Sequence, residues 1–114
     1  MARSFSLVIR REGDSEKQRH ATLGGALDAL ETEVRAMSQT VRRPSARSIG
    51  REYKPEELVA VRAEVSGPGV RGGVDLRGDG SVEAFTGRVR RQVVEPAEGE
   101  DAYGALRRAL GDSA

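Results

Sequence analysis

The chain of 114 residues has no cysteine and no tryptophan, and it contains only two phenylalanines, two tyrosines and one histidine. The lack of cysteine excludes disulfide bonds and thiolate metal ligands. A zinc site or a Ser-His-Asp arrangement would have to use His20, which stands in a polar run before the first predicted helix. We expect an ordinary exposed histidine there, and we predict no catalytic residue, no metal and no cofactor.

Long hydrophobic runs are also missing. No segment approaches the ~20 apolar residues that a membrane span requires. The apolar run at residues 5–9 is short and stands between arginines, so the N-terminus lacks the apolar core of a signal peptide. These absences predict a soluble protein of the cytoplasm that does not contact a membrane.

Neither sign of charge dominates, since 19 basic residues nearly balance 18 acidic ones and leave a formal net charge of +1. The bulk charge therefore does not demand a polyanionic partner. Seventeen of the basic residues are arginines, and the guanidinium group offers a rigid fork for phosphate or carboxylate. A GC-rich coding sequence, which enriches Arg, Ala and Gly together, is the simpler explanation of that bias.

Hydrophobic periodicity predicts the first two elements. Phe5, Leu7 and Ile9 alternate with more polar neighbours and predict a strand over residues 3–11. The polar residues 13–17 are expected to form a turn. A helix over residues 22–39, with Thr22 as its N-cap, follows from apolar residues spaced three and four apart. That stripe consists of Leu23, Leu27, Leu30, Val34, Met37 and Val41.

The middle of the chain departs from both periodicities. Residues 42–54 contain five basic residues and one acid, interrupted by Pro44 and Gly50, and predict a mobile basic loop. Pro55 and the two glutamates after it could begin a helix. Alternating β-branched residues favour a strand over residues 58–66 instead, and the choice between helix and strand for residues 55–65 stays open here. A Ser-Gly-Pro-Gly turn follows.

The second half reads as a β-hairpin and a helix. Two alternating segments, at residues 70–77 and 82–94, meet at a Gly-Asp-Gly-Ser sequence whose Asp-Gly pair is typical of a tight primed turn. A bulge near Gly87 is predicted to turn Phe85, Val89 and Val93 inward. A helix capped by Asp101 closes the chain. Its apolar stripe consists of Ala102, Ala105, Leu106, Ala109 and Leu110.

The predicted order of elements is β-α-β-β-β-α. Short turns between successive strands indicate antiparallel neighbours, and one helix follows the first strand. We therefore predict a two-layer α+β fold, with a mostly antiparallel four-stranded sheet and both helices on one face. Residues 1–114 are expected to form a single small domain that ends in a frayed tail at 111–114.

Basic residues form the one constellation that could recognise a ligand. The candidate polyanion-binding residues are Arg42, Arg43, Arg47, Arg51 and Lys54 in the loop, and Arg71, Arg88 and Arg90 on the sheet face opposite the helices, where Arg62 and Arg77 also project. Such a cluster binds phosphates with strong salt dependence. A solvated face of charge pairs is the competing interpretation, because Glu64, Asp75 and Glu83 share that face and the aromatic residues that stack bases are missing from it.

The last five predicted elements follow the order α-β-β-β-α of double-stranded-RNA-binding domains. That family opens its second helix with a lysine-rich phosphate clamp. Residues 98–101 here read Glu-Gly-Glu-Asp, which would repel phosphate, and the linker between residues 39 and 58 is too long. The sequence is therefore not assigned to that family.

The chemistry that is missing and the thin core together favour a non-catalytic interaction or adaptor module. We expect it to self-associate as a homo-oligomer or to bind a protein partner, since a partly bare sheet face is a surface that association can bury. Nucleic-acid binding through the arginine-rich loop and the sheet face is the alternative.

Overall fold

The computed structural model describes residues 4–11, 13–41, 59–87 and 90–111. Its elements, in chain order, are strands β1 (Phe5–Arg11) and β2 (Asp14–His20), helix α1 (Leu23–Val41), strands β3 (Val59–Gly67), β4 (Val70–Arg77), β5 (Val82–Thr86) and β6 (Gln92–Val94), and helix α2 (Ala102–Leu110). The α+β class, the antiparallel sheet and the two helices are as predicted.

The sheet has six strands in the order β2-β1-β3-β4-β5-β6, and every neighbouring pair is antiparallel. The prediction of four strands is therefore wrong in two places. One strand was taken for a turn, and the long second arm of the hairpin is two strands.

Strand β2 occupies the polar segment that was predicted to turn. It pairs with β1 over seven residues, from Phe5 opposite His20 to Arg11 opposite Asp14. It has no apolar side chain, so hydrophobic alternation gives no signal for it. Its position at the edge of the sheet explains this composition, because charged residues on an edge strand oppose pairing with other chains.

The predicted arm over residues 82–94 is interrupted at Gly87, which has a φ of 118°. A Cβ there would collide with the carbonyl oxygen of Arg90, so only glycine fits this turn. The prediction that Phe85 and Val93 face inward is also wrong. Ala84 lies opposite Val74 on the helix-covered face without a change of register, and Phe85 consequently points to the other face.

The turn between β4 and β5 differs from the predicted primed turn. The backbone N–H of Gly80 donates to the carbonyl of Arg77 at 2.9 Å, and the N–H of Arg77 donates to the carbonyl of Ser81 at 2.8 Å. These bonds enclose a three-residue loop, in which Gly80 takes the left-handed conformation with a φ of 90°. This is the common three-residue hairpin loop with a glycine bulge.

Both helices pack on one face of the sheet, which is called the inner face here, and the opposite one the outer face. Leu27, Leu30 and Val34 of α1 are at most 2% exposed, as the predicted stripe requires. On α2, Ala105 and Leu106 are buried as predicted. Ala109 is exposed. Tyr103 is buried instead, on the side of α2 that faces α1. The inner-face strand residues complete this core; they include Leu7, Ile9, Val65, Val74 and Leu76.

The starts of α1 and α2 are capped as the sequence predicts, whereas Gly111, which was predicted to belong to a frayed tail, forms the C-cap of α2. Asp101 accepts the backbone N–H of Gly104 at 2.8 Å, and Gly111 ends the helix with a φ of 83°. Thr22 accepts the N–H of Gly25 at 2.9 Å. In the described residues, neither helix is both long and apolar enough to cross a bilayer.

Several predictions fall outside the described residues. They are the basic loop at 42–54, the conformation of 55–58, the positions of Arg88 and Val89, and the tail at 112–114. Residues 59–65 belong to strand β3, which answers the open choice for that part of the segment.

Candidate functional site

The outer face of the sheet has a strong excess of positive charge. Alternation along each strand and the cross-strand register place its side chains. Its basic residues are Arg10, Lys17, Arg19, Arg62, Arg71, Arg77 and Arg91, and its acidic residues are Glu64, Asp75 and Glu83. Seven cations thus share one face with three carboxylates, in a chain whose formal net charge is only +1.

Asp75 is the anchor of the first group on this face. Its side chain is 6% exposed, and it accepts two hydrogen bonds from Arg62, at 2.7 Å from Nε and 3.1 Å from Nη2. Nη1 of a second guanidinium, that of Arg91, lies 3.7 Å from Oδ2, the oxygen that also accepts from Nη2 of Arg62. The bonds from Asp75 raise the pKa of Arg62 above its usual value. The carboxylate is therefore shared between two permanent cations.

Phe85 forms the floor of the same group. Its ring is 2% exposed, although no helix covers it. The guanidinium carbon of Arg91 lies 4.2 Å from the ring centroid and that of Arg62 lies 5.9 Å away, both within cation–π range. Phe85 sits opposite Gly73 on β4, where no side chain competes for the space beside the ring. Asp75, Arg62, Arg91 and Phe85 are called the Asp75 cluster below.

The second group repeats this design with a different carboxylate. Glu64 accepts a hydrogen bond of 3.0 Å from Arg10, and the guanidinium of Arg71 lies 3.8 Å from its other oxygen. Glu64, Arg10 and Arg71 are called the Glu64 cluster below. Three neighbouring strands supply its members, since Arg10 comes from β1, Glu64 from β3 and Arg71 from β4.

In both clusters the carboxylate lies beneath the arginines that pair with it. The side chains of Asp75 and Glu64 are 6% and 14% exposed, whereas those of their four arginines are 33–57% exposed. An approaching molecule therefore meets guanidinium groups first. The remaining pair, Arg77 with Glu83 at 2.6 Å, is reversed, with the carboxylate the more exposed partner.

The helix side of the molecule has the opposite charge. This side comprises α1, α2 and residues 95–101, which lead into α2. Its charged residues are Asp28, Glu31, Glu33, Glu95, Glu98, Glu100 and Asp101, against Arg35, Arg107 and Arg108. The arginines here tie the helices together: Arg35 bonds Glu31 on α1 and Asp101 on α2, at 2.7 Å and 2.9 Å. Arg35 also lies over the ring of Tyr103, whose pKa is raised by burial.

The structure describes only two of the eight predicted polyanion-binding residues. Arg71 lies on the outer face, in the Glu64 cluster, and Arg90 is exposed in the connection between β5 and β6. Arg42, Arg43, Arg47, Arg51, Lys54 and Arg88 fall outside the described residues. Four further basic residues of this surface were not predicted, namely Arg10, Lys17, Arg19 and Arg91. Arg10 follows from the alternation in β1, whereas Arg91 lies just before β6, outside any strand, so alternation does not place it.

The described residues bring together no arrangement that suggests catalysis. His20 interacts with Gln18 at 3.0 Å and lies away from any group of carboxylates, and no metal-binding group of three His, Asp or Glu residues occurs among the described residues. A shallow pocket of about 500 Å³ lies where β4 begins and α2 ends. Among the described residues of its lining, Arg71 is the one that carries a charge, so those residues supply no acid–base pair.

No protein-family model, no curated protein and no solved structure matched the chain. The case for a function therefore depends on the geometry and charge of this chain alone.

Proposed function

We propose that the chain is a non-catalytic binding module of the cytoplasm that recognises an acidic partner through the outer face of its sheet. The observation that carries the proposal is that, in both clusters, the arginines are more exposed than the carboxylate with which they pair. Partly desolvated cations arranged on a rigid sheet attract anionic surfaces and set their orientation.

The charge separation also makes a second copy of the chain a suitable partner. The outer face is basic and the helix side is acidic, so the outer face of one copy would meet the helix side of the next. Two other routes are less favourable, since Leu27, Leu30 and Val34 are already buried, and the edge strands are either charged or only three residues long. A front-to-back contact of this kind produces rings or open chains rather than a two-fold dimer.

Nucleic-acid binding is the second candidate function, and the exposed guanidinium groups favour it. Phe85 lies beneath two arginines and cannot stack on a base. The interaction would therefore involve the phosphate backbone, which makes it sequence-independent and strongly sensitive to salt. The predicted loop residues such as Arg42 and Arg43 would add to it.

Size-exclusion chromatography with light scattering, at two salt concentrations and two ultraviolet wavelengths, separates these possibilities. Since the chain has no tryptophan and two tyrosines, its own absorbance is weak and bound nucleic acid is easily seen. Self-association through opposite charges predicts a mass that falls towards the monomer as salt rises. A nucleic-acid signal that is removed by high salt favours the second candidate.

A pair of matched variants tests which face is used. Arg10→Gln with Arg71→Gln removes two charges from the outer face, and Arg35→Gln with Arg108→Gln removes two from the helix side. All four side chains are 44–57% exposed, so the changes are comparable. We expect the first double variant to weaken association and the second to leave it unchanged or strengthen it. Equal losses in both would contradict the proposal.

A further inference from the structure

Among the described residues, the Asp75 cluster has several strong hydrogen-bond donors that no acceptor uses. Arg62 uses Nε and Nη2 for its two bonds to Asp75, so that Nη1 remains. Arg91 is held by the ring of Phe85 and by a 3.7 Å approach to Asp75, and it makes no hydrogen bond with any described residue. A guanidinium has five N–H donors in a fixed plane. The cluster therefore offers a set of donors that the rest of the described chain does not use.

These donors are positioned before any ligand arrives. Asp75 fixes Arg62 through two bonds, and the ring of Phe85 lies against the guanidinium of Arg91. Fixing a long side chain in advance removes part of the entropy that binding would otherwise cost. The Glu64 cluster restrains its arginines through fewer contacts, because, among the described residues, Arg10 and Arg71 each approach only Glu64 and neither lies over a ring.

The charge of the cluster also calls for an anion. Two permanent cations share one carboxylate, which leaves a net positive charge above a buried ring. A tetrahedral oxyanion can accept hydrogen bonds from both guanidiniums at once, because it presents three oxygens and up to two negative charges. A carboxylate has only two oxygens, and it would repeat the role that Asp75 already fills from below.

We infer that Arg62 and Arg91 form a binding site for one phosphate group, with Asp75 and Phe85 as the residues that position them. This inference rests on the proposed use of the outer face, and it names the group recognised there. The phosphate could belong to a nucleic-acid backbone or be free inorganic phosphate, since the chemistry at the site is the same.

Titration of the full chain with inorganic phosphate tests the site directly. The readout is the ¹H–¹⁵N signals of the arginine Nε–H groups, recorded at constant ionic strength with chloride as the balancing anion. We expect the signals of Arg62 and Arg91 to move together in a saturable way, while that of Arg108 on the helix side stays fixed. No movement at phosphate concentrations up to tens of millimolar, or an equal movement of all exposed arginines, overturns the inference.

Three variants separate a defined site from a general electrostatic field. Arg91→Gln should lower phosphate affinity at least about tenfold, the value of one charge-assisted hydrogen bond. Arg91→Lys keeps the charge but loses the planar fork, and it should lose most of the same affinity. Arg10→Gln makes the same charge change at the residue directly opposite Arg62 on β1 but removes no donor from the site, and because Arg10 is 57% exposed it should alter affinity by less than about threefold. Equal effects of Arg91→Gln and Arg10→Gln refute the site.

A thymidine oligonucleotide, added to the same samples, identifies the source of the phosphate. Saturable movement of both arginine signals with the oligonucleotide at a lower concentration than with inorganic phosphate assigns the site to a nucleic-acid backbone. Movement with inorganic phosphate alone assigns it to small phosphate compounds. Binding of an acidic partner that is lost equally in Arg10→Gln and Arg91→Gln would leave the proposed function intact and exclude the phosphate site.

Discussion

Replacing Asp75 by asparagine should destabilise the fold while leaving its shape nearly unchanged. The carboxylate is 6% exposed and accepts hydrogen bonds of 2.7 Å and 3.1 Å from Arg62. Removing one partner from a buried ion pair costs about 3–5 kcal/mol. Because Arg62 is itself 33% exposed, water can solvate part of the stranded guanidinium, and we expect about 2–3 kcal/mol instead.

Urea unfolding followed by circular dichroism measures this loss, since the chain has no tryptophan for fluorescence. Glu83→Gln is the matched control, because Glu83 is 39% exposed and pairs with Arg77 on the same face. An exposed pair of that kind should contribute less than about 1 kcal/mol. Adding Arg62→Met to Asp75→Asn should recover much of the loss, since no unpaired charge is then left at Arg62. If the Asp75 and Glu83 variants lose equal, small amounts of stability, the argument from buried charge is wrong.

Three further substitutions test the turns and the close strand packing. Gly73→Ala should lower the free energy of unfolding by about 3 kcal/mol in the same urea assay, because a Cβ would collide with the backbone carbonyl of Ala63. Gly69→Ala should lower it by only about 1 kcal/mol, because a Cβ there has open space but the backbone has a φ of 75°. Ser81→Ala should raise the pKa of Asp79, which hydrogen bonds from Ser81 hold below its usual value. Because the pKa of Asp79 is lower in the folded state, its stabilisation of the fold is present above the unfolded pKa and is lost as pH falls through the folded pKa. If the carboxyl titration of Asp79, followed by NMR, is unchanged in Ser81→Ala, the hydrogen bonds from Ser81 are not the cause of the lowered pKa.

The parts of the fold that the sequence predicts are those whose apolar residues follow one period. Leu27, Leu30 and Val34 lie on one helical stripe, and Leu7 and Ile9 alternate along a strand. Burial of such a stripe or face is the main source of stability for its element, so the pattern and the structure agree. Caps at Asp101 and Thr22 are equally local and are also predictable.

Strand β2 could not be predicted in the same way, because what stabilises it is outside its own sequence. Residues 14–20 contain no apolar side chain, and their burial is slight. The strand depends on its backbone hydrogen bonds with β1 over seven residues. The pattern of apolar and polar residues in the sequence does not reveal such pairing. The short turn through Gly13, with a φ of 70°, brings the two segments together.

The position of Phe85 was missed for a different reason. A large apolar residue in a strand is ordinarily assigned to the core, yet this ring is buried on the outer face by the arginines above it. Phe85 lies opposite Gly73, which is twelve residues earlier and has no side chain, and beneath Arg91, which follows the next turn. Neither relation is visible until the register is known, so the Asp75 cluster was not predictable from composition.

The alternation of charged side chains along β2 provides a test in which the composition of the chain does not change. Its register places Lys17 and Arg19 on the outer face and Asp14 and Glu16 on the inner one. The double variant Glu16→Lys with Lys17→Glu therefore lowers the positive charge of the outer face by two while the net charge of the chain stays the same. Both side chains are exposed, so stability should change by less than about 0.5 kcal/mol.

If partners are recognised by the outer face, this exchange weakens binding without altering pI. For a short DNA duplex, the logarithmic salt dependence of binding should fall by about one unit, since Lys17 supplies one phosphate contact and each contact contributes about 0.9. Self-association through opposite charges should weaken as well, because β2 then presents a carboxylate to the acidic helix side of the next copy. Unchanged binding and unchanged salt dependence would show that only the total charge matters, and the separation of charge between the two sides would then have no part in recognition.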